Sequence, residues 1–143
     1  MRLSTRRSRV DRGMLSVVPT RAALRVVLVD DREERRQLVR LALRGTDAYP
    51  VLVSEVGGAA AALQALETED ADVVLLEIRI EGALACISSL RSAYPELVIA
   101  VCSFHTGSAI EQLALDAGAD CYLRKPVRRE DLYRLTAERA VPR

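Results

Sequence analysis

The stretch Asp72-Val73-Val74-Leu75-Leu76-Glu77 is a short apolar run between two carboxylates. An uninterrupted run of this length with β-branched members is typical of a strand buried on both faces within a parallel sheet. Open α/β sheets bind their ligands just beyond the carboxyl ends of such strands. The run therefore predicts a central strand with Glu77 at a ligand-binding edge.

Three more apolar runs along the chain also end on polar residues. These runs are residues 24–29, 97–102 and 121–123. The polar residues that follow them are Asp30 and Asp31, then Ser103, then Arg124 and Lys125. If the strands are parallel, all of these side chains lie at one edge of the sheet together with Glu77.

Segments with helical periodicity separate the strands. The predicted helices are residues 32–44, 59–69, 83–94, 106–117 and 129–139, and a further strand is predicted at 51–56. Gly45 and Gly118 follow two of these helices and act as stop signals. Regular alternation of strands and helices predicts βαβ units and a parallel sheet covered on both faces, which is an α/β fold.

Composition limits the classes of protein to consider. The 143 residues are 50% hydrophobic but only 3% aromatic, which predicts one domain with an aliphatic core. No apolar run approaches the ~20 residues that span a bilayer, so we expect a cytoplasmic protein without a membrane partner. Cys86, Cys102 and Cys121 lie in apolar surroundings without metal-ligand spacing and are expected to be buried free thiols.

The N-terminal segment differs from the rest of the chain. Residues 1–23 contain six arginines and one aspartate, which predicts a flexible Arg-rich tail, with the folded domain at 24–140. The tail also fits a transit peptide or a start assigned upstream of Met14. It lacks aromatic residues and a known motif, so nucleic-acid binding through it is not favoured and would be weak and salt-dependent. The few residues after the last predicted helix lead us to expect a stand-alone domain.

Taken in order, these motifs resemble the receiver domain of bacterial two-component response regulators. The similarity rests on residues 26–31, the run to Glu77, residues 101–103 and residues 118–126, and it covers about residues 24–140. The resemblance implies a flavodoxin-like (βα)5 fold with strand order 2-1-3-4-5, the order shared by flavodoxin and chemotaxis receivers. It also implies phosphorelay signalling and a protein partner, either a signalling kinase or an output protein.

The resemblance assigns roles to the residues at the strand ends. Asp30 and Asp31 match the acids that hold Mg²⁺ in the family, with the residue at position 77 as a further ligand. Ser103 and Lys125 match the hydroxyl and the lysine that contact the phosphoryl group. Mg²⁺ is therefore a candidate cofactor.

Other positions match the surface through which receivers signal. Tyr122 matches the aromatic residue that rotates between states. The surface that binds partners, or a second copy in a homodimer, is matched by residues 104–117, Tyr122 and the face of the last helix.

Glu77 departs from the family, in which an aspartate at this position accepts the phosphate. The extra methylene moves the carboxylate outward by about 1.5 Å, and misplacement by ~1 Å can reduce a transfer rate by ~100-fold. The longer side chain can instead accept charge-assisted hydrogen bonds from Lys125 and Ser103, as a phosphoryl group would. Three carboxylates against one ammonium give this edge a net charge near −2, which favours a divalent cation.

Several alternatives remain open at this point. Asp30 and Asp31 also fit helix-capping acids, and Tyr122 fits a half-buried core residue. Glu77 fits an activated mimic, an inactive site or a working phosphoacceptor. An enzyme is not expected, because the chain has one histidine and no asparagine and offers no catalytic triad.

Overall fold

A computed structural model of the protein describes residues 23–44, 50–105 and 107–140. Within these residues five strands alternate with five helices. In chain order the elements are β1 (Arg25–Val29), α1 (Glu33–Leu43), β2 (Val51–Val56), α2 (Ala59–Thr68), β3 (Val73–Glu77), α3 (Ala83–Ala93), β4 (Val98–Ser103), α4 (Ser108–Ala117), β5 (Cys121–Arg124) and α5 (Arg129–Ala140).

The strands form one parallel sheet in the order β2-β1-β3-β4-β5. The flavodoxin-like order predicted from the resemblance is therefore confirmed. β3 is the central strand, and all five of its residues are buried. It owes this position to the continuous apolar run Val73–Leu76, which can face helices on both sides of the sheet.

Predicted element boundaries agree with the structure to within one or two residues. β4 extends one residue further than predicted and includes Ser103. α4 begins at Ser108, whereas Thr106, the predicted first residue, lies outside the described residues. The same holds for the stop signal at Gly45 and for residues 1–22 of the tail predicted at 1–23. None of the helices in the described ranges has the length and apolar character needed to cross a membrane.

The core consists of two layers of aliphatic side chains, one on each face of the sheet. Residues Val27, Val29, Val74, Leu76, Ile99 and Val101 pack against α2, α3 and α4. Residues Val26, Leu28, Val73, Leu75, Val98 and Ala100 pack against α1 and α5. Each fully buried Val or Leu contributes roughly 1.5–3 kcal/mol to stability, so the two layers fix the strand ends in place.

The three cysteines are free, as predicted. Cys86 and Cys102 are buried, whereas Cys121 is half-buried. Burial raises the pKa of the Cys102 thiol to about 12, so this thiol stays protonated at neutral pH.

The turn before β5 depends on Arg91 and Gly118. The Arg91 guanidinium donates to the carbonyl oxygens of Leu97 at 2.8 Å and Gly118 at 2.9 Å, and to the Asp120 carboxylate at 2.6 Å. Gly118 has a φ of 124°, and a Cβ at this position would lie 2.9 Å from the Cβ of Arg91. The turn therefore requires glycine for both its backbone conformation and the close approach of α3.

We expect Gly118→Ala to lower the free energy of unfolding by about 2 kcal/mol, because it adds backbone strain and a clash with Arg91. Urea denaturation monitored by circular dichroism measures the change. Gly57→Ala is the matched control, since the nearest atom to its new Cβ is 3.9 Å away. The control should stay within about 0.5 kcal/mol of the wild type; equal losses in both variants would contradict this account of the turn.

Candidate functional site

The parallel register brings four polar residues from distant parts of the chain to one edge of the sheet. Asp30 follows β1, Glu77 ends β3, Ser103 ends β4 and Lys125 follows β5. All four are buried, with exposed fractions of 1% for Asp30 and Glu77, 0% for Ser103 and 6% for Lys125. We call this set the carboxyl-edge pocket. Asp31 lies at its rim, with half of its side chain exposed.

The buried ammonium group of Lys125 lies between two carboxylates. Its Nζ is 2.8 Å from Oε1 of Glu77 and 3.2 Å from Oδ2 of Asp30. The other Glu77 oxygen, Oε2, accepts a hydrogen bond of 3.0 Å from the backbone N–H of Arg79. Both oxygens of Glu77 are therefore engaged, which compensates for removing the carboxylate from water.

Electrostatics keep Lys125 charged in this buried position. Burial disfavours the charged form, but the hydrogen bond from Lys125 to Glu77 and the negative charges of Glu77 and Asp30 outweigh it, so the pKa of Lys125 is raised. The protonated Lys125 thus attracts the ionised carboxylates of Glu77 and Asp30 in a site of low dielectric constant.

Ser103 does not make the contact with Glu77 that its position suggested. Among the described residues, its Oγ accepts a hydrogen bond of 3.1 Å from the backbone N–H of His105. Hydroxyl groups commonly close turns in this way with the backbone two residues further on. Ser103 therefore shapes the loop after β4, and in this arrangement the Glu77 carboxylate is held by Lys125 and a backbone amide.

Arg35 of α1, which no sequence motif singles out, also contributes to the site. Its Nε donates to both oxygens of Asp30 at 2.8 and 3.0 Å. Its Nη2 lies 2.8 Å from Oδ1 of Asp30 and 2.7 Å from Oδ1 of Asp31. One guanidinium group thus bridges the two acids predicted to hold a metal ion.

Arg35 makes the net charge at this edge less negative than the sequence predicted. With Lys125 and Arg35 opposing Asp30, Asp31 and Glu77, the net charge is −1 and not −2. Burial disfavours the charged form of Arg35, but its hydrogen bond to Asp30 and the nearby carboxylates outweigh this effect, so its pKa is raised. Arg35 is therefore a permanent cation of the site.

As placed, the acids do not fit Mg²⁺. This ion needs oxygen ligands at octahedral positions close to 2.1 Å, whereas Asp30 directs both of its oxygens to cationic side chains. No group of three or more His, Cys, Asp or Glu residues in the described part of the chain is arranged to hold a metal ion. The predicted metal site at Asp30, Asp31 and Glu77 is thus not formed in this arrangement.

The loop after β4 covers the carboxyl-edge pocket. The Phe104 ring centroid is 5.5 Å from Nζ of Lys125, and 56% of Phe104 is exposed. The Tyr122 hydroxyl donates to the carbonyl oxygen of His105 at 2.8 Å. Arg79 donates from Nη1 to Nε2 of His105 at 2.7 Å. The loop is therefore tied to β5 on one side and to the segment after Glu77 on the other.

Tyr122 is half-buried and packs against the core, as one open alternative proposed, while its hydroxyl also reaches the loop. Burial raises the pKa of Tyr122, although a hydrogen bond with Ser103 opposes this shift. The tyrosine therefore stays neutral and remains a hydrogen-bond donor at physiological pH.

Sequence comparisons identify similar proteins. A family model for the response regulator receiver domain matches residues 26–137. Protein-glutamate methylesterase/protein-glutamine glutaminase 1 of Cereibacter sphaeroides is 33% identical over 117 residues, covering 79% of this chain and 31% of that protein. The positive alginate biosynthesis regulatory protein of Pseudomonas aeruginosa is 33% identical over 113 residues, covering 76% of this chain and 44% of that protein. The chain thus spans less than half the length of these two relatives.

A structural comparison agrees with the sequence matches. The signal receiver domain of the response regulator NarL from Mycobacterium tuberculosis superposes with a TM-score of 0.71 and is 28% identical. The match covers 82% of this chain and 96% of that domain.

The raised pKa of Lys125 gives a direct spectroscopic prediction. Lys125 is the only lysine, so ¹⁵N-lysine labelling yields one Nζ signal. We expect this signal to titrate above the ordinary lysine pKa of about 10.4. A raised folded-state pKa stabilises the fold at pH values below the unfolded pKa, and this contribution is lost as pH rises through the folded pKa.

The stability difference between wild type and Lys125→Met should therefore be constant near neutral pH and shrink above about pH 10.4. Arg134→Met, which removes an exposed cation, should show no such change in this range. A Lys125 signal that titrates below its ordinary pKa would contradict the ion pair.

Proposed function

Because the chain belongs to the response regulator receiver family, we propose that it is a phosphorelay receiver that acts as a phosphorylation-independent protein-interaction module. In this proposal Glu77 takes the part of the phosphorylated aspartate. The observation that carries it is the buried ion pair between Glu77 and Lys125, with 2.8 Å between Oε1 and Nζ.

The chemistry of Glu77 supports the mimic. A phosphorylated aspartate presents negative oxygens beyond the end of an ordinary aspartate side chain. Glutamate places one carboxylate about 1.5 Å further along the same direction. Here that carboxylate is paired with Lys125, the residue that matches the phosphate-binding lysine of the family.

The contacts of Phe104 and His105, which follow β4, support the proposal that the pocket is held in a single conformation. Tyr122 is bonded to the loop after β4 through the carbonyl oxygen of His105. Phe104 lies over the ammonium group of Lys125 while more than half exposed. The buried ion pair and the exposed surface are therefore connected by direct contacts. Such a connection is required if the state of the pocket is to affect the binding of a partner.

A small phosphodonor with Mg²⁺ tests this proposal. We expect no phosphoryl adduct on the wild type by intact mass, because position 77 lacks the aspartate geometry and its carboxylate is already paired. An ordinary receiver in the same tube confirms that the donor is active.

The alternative function is a receiver that still accepts phosphate. A wild-type adduct that disappears in Glu77→Gln would establish this alternative and overturn the proposal. An adduct that persists in Glu77→Gln and disappears in Asp31→Asn would place the phosphate on the exposed acid instead.

The partner surface is proposed around the loop that covers the pocket. Exposed apolar side chains occur at Phe104 in this loop and at Leu113 and Leu115 in α4. The described residues of the predicted surface include these positions and Tyr122, whereas Thr106 lies outside them. A signalling kinase, an output protein or a second copy of the chain would contact Phe104 first, because Phe104 joins the surface to Lys125.

Photo-crosslinking tests this surface without knowledge of the partner. A benzophenone amino acid in place of Phe104 should form protein adducts in cells, because aromatic side chains are favoured interface contacts. The matched control places the same group at Leu38 of α1, which is also 56% exposed. More adducts from position 38 than from position 104 would contradict the proposed surface.

Other predicted activities carry less support. The nucleic-acid alternative rests on the tail predicted at residues 1–23, of which residues 1–22 lie outside the described residues. The methylesterase activity in the name of one relative belongs to that protein. We propose a non-enzymatic role for this chain, supported by the use of its buried polar residues in ion pairs and turns.

A further inference from the structure

We infer that Arg35 is a built-in replacement for the divalent cation of this site, so that the carboxyl-edge pocket is complete without metal. The inference goes beyond the proposed function, because it concerns Asp30 and Asp31 and holds whether or not Glu77 acts as a mimic. It is carried by the guanidinium group that bridges these two acids.

Both carboxylate oxygens of Asp30 already have hydrogen-bond donors. Oδ1 accepts from Nε of Arg35 at 2.8 Å and from the backbone N–H of Arg32 at 3.1 Å. Oδ2 accepts from Nε of Arg35 at 3.0 Å and from Nζ of Lys125 at 3.2 Å. Each oxygen thus has at least two donors, and a metal ion could bind only after at least one of the cations had moved.

The other two carboxylates are also engaged. Oδ1 of Asp31 lies 2.7 Å from Nη2 of Arg35. Glu77 uses Oε1 for Lys125 and Oε2 for the backbone N–H of Arg79. Among the contacts of the described residues, only Oδ2 of Asp31 is without a donor, and one exposed carboxylate oxygen does not make a Mg²⁺ site.

The guanidinium group of Arg35 has chemistry suited to bridging two carboxylates. Arginine is planar, remains protonated at all accessible pH values and binds carboxylates through two parallel hydrogen bonds. It therefore supplies positive charge and directional bonds between two acids, which is what a bridging metal ion supplies. It differs in carrying one charge and in being bonded covalently to α1.

The net charge of the site also depends on Arg35. With Arg35 and Lys125 in place, the three acids leave a net charge of −1. Removing the charge of Arg35 would leave −2 and free three of the bonds that Asp30 and Asp31 now accept. The site would then resemble the acid cluster that the sequence alone predicts, and a divalent cation would be attracted to it.

The experiment compares metal binding in wild type and Arg35→Met, which keeps the aliphatic stem and removes the charge. Mg²⁺ is titrated while thermal unfolding is followed, and Mn²⁺ binding is measured directly by electron paramagnetic resonance. We expect the wild-type Tm to be unaffected by Mg²⁺. The Tm of Arg35→Met should rise by about 4 °C or more when Mg²⁺ exceeds its dissociation constant tenfold.

Two control variants locate the effect. Arg40→Met removes a neighbouring arginine of α1 that pairs with Glu33 and Glu55, and it should behave as the wild type does. Adding Asp30→Asn to Arg35→Met should abolish the gain in metal binding, because Asp30 is the buried ligand that Arg35 occupies.

The inference would be overturned if the wild type bound Mn²⁺ saturably and Asp30→Asn abolished this binding. That result would mean that the metal displaces Arg35 from Asp30. A folded Arg35→Met variant that stays silent to both ions would overturn it too. If Arg35→Met unfolds without metal, recovery of the fold on adding Mg²⁺ supports the inference and no recovery counts against it. None of these outcomes depends on phosphorylation, so the proposed function and this inference can fail separately.

Discussion

The buried ammonium group of Lys125 is the constraint on which the carboxyl-edge pocket depends. It is the only lysine of the chain, and its Nζ contacts both Glu77 and Asp30. A buried charge without a partner costs several kcal/mol, so these carboxylates and the ammonium group require each other. Because they come from β1, β3 and β5, their pairing fixes the relative positions of three strand ends.

Arg35 extends this network to the first helix. It binds both carboxylate oxygens of Asp30, sharing Oδ2 with Lys125, and also binds Asp31 at the rim. The pocket therefore alternates cations and carboxylates from Arg35 through Asp30 and Lys125 to Glu77. Such alternation gives each buried charge of the pocket a partner of opposite charge. Phe104 lies near Lys125, and Tyr122 bonds the backbone of His105.

Much of this arrangement was predictable because it follows from the direction of parallel strands. The apolar runs before Asp30, Glu77, Ser103 and Lys125 predict strands, and their alternation with helices places all four strand ends at one edge. Sequence position suggested the contact between Lys125 and Glu77, but it could not reveal the partner of Ser103. Ser103 has a choice between Glu77 and the backbone of its own loop, and only the path of that loop decides it.

Arg35 was harder to predict because it is one of several arginines in an exposed helix. The sequence places four arginines on a helix that is expected to be solvated: Arg32, Arg35, Arg36 and Arg40. The available signal was the spacing of four residues between Asp31 and Arg35, which allows an ion pair across one helical turn. That spacing is common in exposed helices. Here Arg35 also pairs with the buried acid Asp30, which the spacing alone does not indicate.

The exchange of an external cation for Arg35 has a consequence for how such a protein would carry information. A receiver that needs magnesium and phosphate reports the supply of a chemical donor. A pocket whose acids are paired with its own arginine and lysine has the same composition from the moment the chain has folded. Under the proposed function its partner would then sense only how many copies are present, so the rates of synthesis and degradation would become the signal.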